Sequence, residues 1–68
     1  MIKQILKDYP SAYAVYDTGK YYGVATPDES FYLVNKDNYK TEIVLLRYQK
    51  EAIKLIENAI PIWFADDD

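Results

Sequence analysis

Histidine and cysteine are absent from this chain, which limits the chemistry that its side chains can perform. A hydroxyl nucleophile normally needs a histidine base, and the usual zinc sites need histidine or thiolate ligands. Apart from the C-terminal aspartates, the closest carboxylates are Asp28 and Glu29. They follow Pro27 in a predicted turn, where little burial is available to separate their pKa values for acid–base catalysis.

Binding chemistry for ions and phosphates is equally sparse. Residues 35–42 are faintly like a calcium-binding loop, but the glycine at the sixth loop position and the terminal acid are missing, which favours a turn. The two glycines, Gly19 and Gly23, do not form a phosphate-binding loop. A tyrosine or lysine could still act as an acid or base, although an 8.0 kDa domain has little room for an enclosed substrate pocket. We therefore expect no enzymatic activity, no metal and no cofactor.

Apolar residues at helical spacing predict one helix near each end of the chain. Ile2, Ile5 and Leu6 indicate a short N-terminal helix that Pro10 stops. This helix is too short to be stable alone, and we expect it to pack at an edge of the fold. Residues 49–60 combine an apolar face with a charged face, which predicts a longer C-terminal helix.

Two segments rich in tyrosine and valine, 12–17 and 21–26, predict a β-hairpin. The sequence Thr-Gly between them could form a two-residue loop at 18–19. Such a loop would place Tyr16 opposite Tyr21.

A turn at 27–30 leads to a third predicted strand over 31–35, and a four-residue loop would place Val24 opposite Leu33. Residues 42–46 fit either a buried fourth strand or the start of a helix, and their β-branched residues favour the strand. The sequence therefore predicts an α+β fold, with a three- or four-stranded antiparallel sheet packed on the C-terminal helix.

This register divides the strand side chains between two faces of the sheet. The bulkier set is the predicted core face: Tyr13, Val15, Tyr22, Val24, Phe31 and Leu33. On the other face, three tyrosines stand beside a floor of alanine and glycine, where an ordinary solvent-exposed face would carry charged residues. Tyrosine is enriched at protein interfaces, and the chain has eight. The predicted partner-binding residues are Tyr16, Tyr21, Tyr32, Val34, Lys36, Trp63 and Phe64.

Each part of this predicted surface also has a purely structural interpretation. The N-terminal helix or the segment 63–64 could fold over the small-residue floor, since small residues often mark close packing. Trp63 and Phe64 could cap a small core instead of inserting into a partner's pocket. A bulged turn at Gly19 would exchange the two faces.

The distribution of charge argues against nucleic acid as a partner. The net charge is −3, and Asp66, Asp67 and Asp68 account for all of it. A nucleic-acid binder normally has a basic excess. We therefore expect a single domain over 1–65 and an acidic tail over 66–68.

The sequence also bears on the compartment. It contains no apolar run of about 20 residues that could span a membrane. Its first residues lack the apolar stretch of a secretion signal. With no cysteine to suggest export, the cytoplasm is the expected compartment.

These features favour a small protein-binding module, an inhibitor or adaptor that sterically occupies the surface of another protein. The small size and acidity of this chain are features shared by phage and mobile-element proteins that block host enzymes acting on nucleic acid. One alternative is a structural or accessory protein that self-associates as a homodimer, through the tyrosine-rich face or through an exposed edge strand. A weaker alternative is a single-stranded nucleic-acid binder that stacks bases on its surface tyrosines.

Overall fold

The computed structural model describes residues 2–65, so the predicted acidic tail at 66–68 lies outside the described residues. The described chain is an α+β fold with a five-stranded antiparallel sheet and two helices, which confirms the predicted class. In chain order its elements are α1 (Ile2–Asp8), β1 (Ala14–Asp17), β2 (Tyr21–Ala25), β3 (Ser30–Asn35), β4 (Thr41–Leu46), α2 (Lys50–Asn58) and β5 (Ile60–Phe64).

The sheet has more strands than the three or four predicted. Residues 42–46 belong to strand β4, which answers the question that their sequence left open. Strand β5 was not predicted at all. In the sequence, Pro61 and the short apolar segment 62–64 indicate only the end of a helix. The proline is tolerated because β5 is an edge strand, and an edge strand can turn the proline nitrogen away from its neighbour.

Helix α2 connects the two edges of the sheet. The strand order is β4-β3-β2-β1-β5, so consecutive hairpins build the sheet from β1 to β4. The chain then leaves β4 at one edge, passes through α2 and returns as β5 beside β1 at the other edge. The last strand therefore pairs with the first, and α2 lies across the face between them.

The observed strand registers differ from both predicted ones. In the first hairpin Tyr16 lies opposite Gly23, two positions from the predicted partner, and the Thr18 amide closes the loop on the Tyr21 carbonyl. A shift of two residues keeps each side chain on its predicted face. In the second hairpin Val24 lies opposite Tyr32, one position from the predicted Leu33, and a one-residue shift moves all β3 side chains to the opposite face.

Glu29 is the physical reason for the second shift. Its φ of 70° puts it in the left-handed region. The Thr26 amide donates to the Ser30 carbonyl and so closes a loop of residues 27–29 that contains Glu29. This is the geometry of a three-residue hairpin loop that ends in a left-handed residue, one residue shorter than the loop we predicted. Glutamate is uncommon in this conformation, so the sequence carries no signal for it.

Both faces of the sheet are covered, each by one helix. On the α1 side, Ile5 is buried against Val15, Val24 and Val34. On the α2 side, the buried cluster comprises Ala14, Ala25, Phe31, Leu33 and Ala52. The predicted core face is therefore wrong, because its residues are divided between the two sides. The N-terminal helix covers a face of the sheet and not an edge.

Gly23 is required where it stands because Phe31 packs over it. The Phe31 ring is fully buried on the α2 side. A Cβ atom at position 23 would overlap that ring. The small-residue floor of the sheet is thus the space that the ring occupies, which agrees with the structural interpretation of that floor. The element that covers it is α2, not the N-terminal helix or the segment 63–64.

We predict that Gly23→Ala destabilises the fold by about 1–3 kcal/mol, because overpacking a filled core forces side chains from their preferred rotamers. Chemical denaturation measures this change in the free energy of unfolding. Phe31→Leu provides the control, since it removes the ring that the new methyl group would meet. In the Phe31→Leu background, Gly23→Ala should cost much less. Equal costs in both backgrounds would show that the ring does not restrict position 23.

Candidate functional site

The structure does not bring the seven predicted partner-binding residues together. Tyr16, Tyr21 and Phe64 lie on the α2 side, whereas Tyr32, Val34 and Trp63 lie on the α1 side, and Lys36 follows β3 in a turn. They form no continuous surface, because the one-residue shift at β3 separates Tyr32 and Val34 from the other two strand tyrosines.

Tyr16 and Tyr21 are half-buried against the α2-side cluster. The Tyr16 ring makes edge contacts with Phe31 and Phe64, with centroids 6.2 and 5.9 Å away. Burial, with a smaller contribution from Tyr13, raises the pKa of Tyr16. The Tyr21 hydroxyl donates to a Glu42 carboxylate oxygen at 3.1 Å, and this bond is the main cause of the raised pKa of Tyr21. Both phenols thus remain protonated at neutral pH and serve packing.

The residues on the α1 side are also engaged within the fold. The Tyr32 ring lies 4.8 Å from the Tyr9 ring, between centroids. Trp63 is half-buried against the α1-side cluster. Val34 is only 2% exposed, so it cannot contact a partner of the folded chain, and its place in the predicted set is corrected.

Lys36 makes its contacts inside the chain. Its ammonium lies 2.7 Å from an Asp17 carboxylate oxygen and 5.5 Å from the centre of the Tyr22 ring. The hydrogen bond from Lys36, followed by one from the Gly19 amide, lowers the pKa of Asp17. Lys36 therefore fixes the end of the first hairpin. Of the seven predicted residues, Phe64 alone has a largely exposed side chain, at 51%.

The larger exposed apolar surface lies on β4 and its continuation. We call Ile43, Val44, Leu46 and Tyr48 the β4 surface. Val44 and Tyr48 are the most exposed of the four, at 55% and 62%. The sequence indicated a buried strand here, since an unbroken apolar run is typical of strands covered on both faces. In the structure this apolar run forms an edge strand and is not covered on both faces. Positions 43–46 contain no charged residue.

The outer edge of β4 offers backbone groups for pairing. The Arg47 amide donates to the Glu29 carbonyl of the neighbouring chain segment. In an antiparallel ladder, residues alternate between those whose backbone groups bond to the neighbouring strand and those whose groups point away from it. Counting back from Arg47, the N–H and C=O of Val44 and Leu46 therefore point away from β3. The Gln49 side chain accepts from the Leu46 amide, and the Gln49 amide donates to the Leu46 carbonyl. Val44 is thus left at the centre of the strand with outward groups that carry no such cap.

A groove of about 400 Å³ runs beside this edge, between β4 and α2. Its apolar walls are Leu33, Ile43, Leu45 and Leu55, and Glu51 and Lys54 stand at its rim. The groove exists because α2 is a single helix over a five-stranded sheet and leaves the β4 margin uncovered. A strand added to β4 could direct alternate side chains toward this groove.

The opposite edge of the sheet is less suited to pairing. Ile60 and Ile62 of β5 are also exposed, the first at 68%. Pro61 between them has no N–H to donate, and the register between β1 and β5 is interrupted at this point. Strand β4 also has a register irregularity, at Glu42, but its pairing with β3 is regular from Ile43 to Leu46, where most of the β4 surface lies.

The described residues place no metal centre beside these surfaces: within 2–65, no three acidic side chains come together in a way that could hold a metal ion. Neither described helix is long and apolar enough to cross a membrane. Comparison with known proteins gives no match, since no family model fits the chain and no curated protein or solved structure is significantly similar to it.

We predict that Tyr32→Ala lowers the melting temperature, because it removes the ring packed on Tyr9 and leaves part of the α1 side unfilled. Tyr48→Ala is the matched control, as Tyr48 is mostly exposed and should leave the melting temperature within a few degrees of the parent. Thermal unfolding followed by circular dichroism measures both. An unchanged melting temperature of Tyr32→Ala would contradict the packing role and make Tyr32 a candidate binding residue again.

A second prediction concerns acid stability. The pKa of Asp28 is lowered by hydrogen bonds, first from Thr26 and then from Ser30, and that of Asp17 is lowered as described. A carboxyl whose pKa is depressed by folding stabilises the fold above its unfolded pKa of about 3.9, and this stabilisation is lost as the pH falls through the folded pKa. The melting temperature should therefore fall as the pH is lowered below about 4.

Asp17→Asn and Asp28→Asn should each flatten this acid limb. Added salt should weaken the Asp17 contribution, which rests on an ion pair with Lys36, more than that of Asp28, whose partners are neutral. Thermal melts between about pH 2 and pH 7, at two salt concentrations, test both statements. An acid limb of unchanged slope in the double variant would contradict the prediction.

Proposed function

We propose that this protein is a non-enzymatic protein-binding module that engages its partner through the β4 surface. The observation that supports this most directly is the coincidence of exposed apolar side chains with an unpaired strand edge. Occupying a partner's surface requires no catalytic group, so an inhibitor or an adaptor could act through such an edge alone.

The β4 surface is suited to binding by strand addition. In this mode an extended segment forms backbone hydrogen bonds with the edge, and its alternate side chains enter neighbouring pockets, which supply specificity. Val44 offers the central backbone groups, and the groove between β4 and α2 offers an apolar pocket on one side of the added strand. Both requirements are met within one contiguous region.

Charge favours a protein partner over nucleic acid at this place. Acidic and basic groups alternate around β4: Glu42, Arg47, Glu51 and Lys54. Such a balance gives no basic track for a phosphate backbone, whose attraction dominates nucleic-acid affinity. The tyrosines considered for base stacking are half-buried in the two clusters, which further weakens that alternative.

We predict that Val44→Lys abolishes capture of a protein partner from lysate of the source cells. The substitution places a charge at the centre of the edge, a common natural means of preventing strand pairing. Because Val44 is more than half exposed, the melting temperature should change little. Pull-down with tagged protein, followed by mass spectrometry, measures the capture.

Ile60→Lys is the matched control, since it introduces the same charge at an exposed isoleucine of the opposite edge strand. It should capture the partner as the parent does. If Ile60→Lys abolishes capture and Val44→Lys does not, β5 is the binding edge. If the parent protein captures neither another protein nor itself, the proposed function is wrong.

A further inference from the structure

Strand β4 contains one residue more than the part of β3 with which it pairs. Thr41 lies opposite Val34, and Ile43 lies opposite Leu33, so Glu42 between them has no residue opposite it on β3. Such an extra residue forms a β-bulge. We propose that Glu42 is a positioning residue whose side chain keeps β4 from slipping by one residue along β3. The slip concerns the fold itself, and its consequence for binding rests on the proposed function.

The apolar residues of β4 do not by themselves select one register. A slip of one residue moves every side chain to the opposite face, and a strand resists it where its two faces differ in polarity. Positions 43–46 are apolar throughout. After a slip, Val44 and Leu46 would replace Ile43 and Leu45 on the α2 side, where the groove lies. One apolar pair would replace another, so burial discriminates little between the two registers.

The bulge supplies the extra residue that a slip requires. Thr41 would stay opposite Val34, and Glu42 would enter the regular ladder opposite Leu33. The residue released at the other end of β4 would lengthen the connection to α2. The turn before β4 and the position of α2 would both be unchanged, which makes the slip a local rearrangement.

The Glu42 side chain opposes this slip. Its carboxylate accepts hydrogen bonds from the Tyr21 hydroxyl at 3.1 Å and from the Asn35 side-chain amide at 2.8 Å. Hydrogen bonds to an ionised acceptor are stronger than those between neutral groups. The slip would move Glu42 away from both donors and set its carboxylate opposite Leu33, which is buried. Glu42 therefore favours the observed register in two ways.

The end of β4 near α2 discriminates less between the registers. In the observed register the Arg47 amide donates to the Glu29 carbonyl, and the Leu46 amide donates to the Gln49 side chain. After a slip Leu46 would lie opposite Glu29, and its amide would replace that of Arg47 in the bond to the Glu29 carbonyl. A backbone bond is retained at this end, so the choice of register depends mainly on Glu42.

The register decides which backbone groups β4 offers to a partner. Val44 now lies opposite Tyr32, and its N–H and C=O point away from β3. After a slip it would lie opposite Phe31 and turn these groups toward β3, by the alternation of an antiparallel ladder. Glu42 thus keeps the central backbone groups of the proposed binding edge available to an added strand.

Nuclear magnetic resonance of the full chain tests the proposal. Tyr32 and Val44 form a non-hydrogen-bonded pair, in which the Cα atoms are only about 4.5 Å apart, so their Hα protons should give a strong Overhauser cross-peak. The slipped register would give this cross-peak between Tyr32 and Ile43 instead. The parent should show only the first. Glu42→Ala should add the second, at an intensity of about one tenth of the first or more.

Tyr21→Phe repeats the test with a smaller change, since it removes only the hydroxyl that donates to Glu42. It should also add the cross-peak between Tyr32 and Ile43. Tyr16→Phe is the matched control, because it removes the hydroxyl of another tyrosine on the α2 side, whose ring packs on Phe31 and Phe64. It should retain the parent pattern.

Deletion of Glu42 distinguishes its side chain from the extra residue itself. Without residue 42, Thr41 and Ile43 are consecutive and fit Val34 and Leu33 in a regular ladder. The deletion variant should therefore show only the cross-peak between Tyr32 and Val44, although it lacks the same carboxylate as Glu42→Ala. A second register in the deletion variant would overturn the assignment of the bulge as the source of the slip.

The outcomes also separate this inference from the proposed function, because the spectra require no partner. Absence of the cross-peak between Tyr32 and Ile43 in both Glu42→Ala and Tyr21→Phe overturns the role of Glu42, even where Val44-dependent capture of a protein is observed. If Glu42→Ala does not fold, Tyr21→Phe decides alone. A second register in the variants, with a parent that captures nothing, supports the role of Glu42 and overturns the proposed function.

Discussion

The packing of Phe31 over Gly23 determines where the elements of this fold can lie. A glycine in the middle of a central strand leaves space for the ring on the α2 side, and alanines at 14, 25 and 52 close around it. Because these neighbours are small, α2 can approach the sheet closely there. That position fixes the path from β4 to β5 and hence the pairing of the last strand with the first.

The same arrangement explains why the β4 surface is exposed. Five strands span roughly 19 Å at a spacing of about 4.8 Å, whereas a helix covers only about 10 Å of that width. Helix α2 has nine residues and lies over the central strands, so the groove beside β4 is the uncovered remainder of the sheet.

The sequence predicted the elements better than it predicted their registers. The α+β class, both helices and the first three strands follow from periodicity and from Pro10, since these signals are local. The faces did not follow, because the left-handed conformation of Glu29 shortens a loop by one residue and no residue type indicates it. That one residue moved Tyr32 and Val34 away from Tyr16 and Tyr21, and the predicted binding surface depended on their sharing a face.

The β4 surface escaped prediction for a related reason. An apolar run with no alternation indicates burial on both faces, and only the strand order shows that β4 is an edge. The two edges of the sheet differ in their protection. Pro61 interrupts donation along β5, whereas the interruptions of β4 lie toward its two ends, an irregular register at Glu42 and the cap by Gln49 at Leu46, and its centre is uncharged. Natural sheets commonly protect their edges against pairing, and Val44 carries neither the charge nor the proline that would do so, which is the feature on which the proposed binding edge rests.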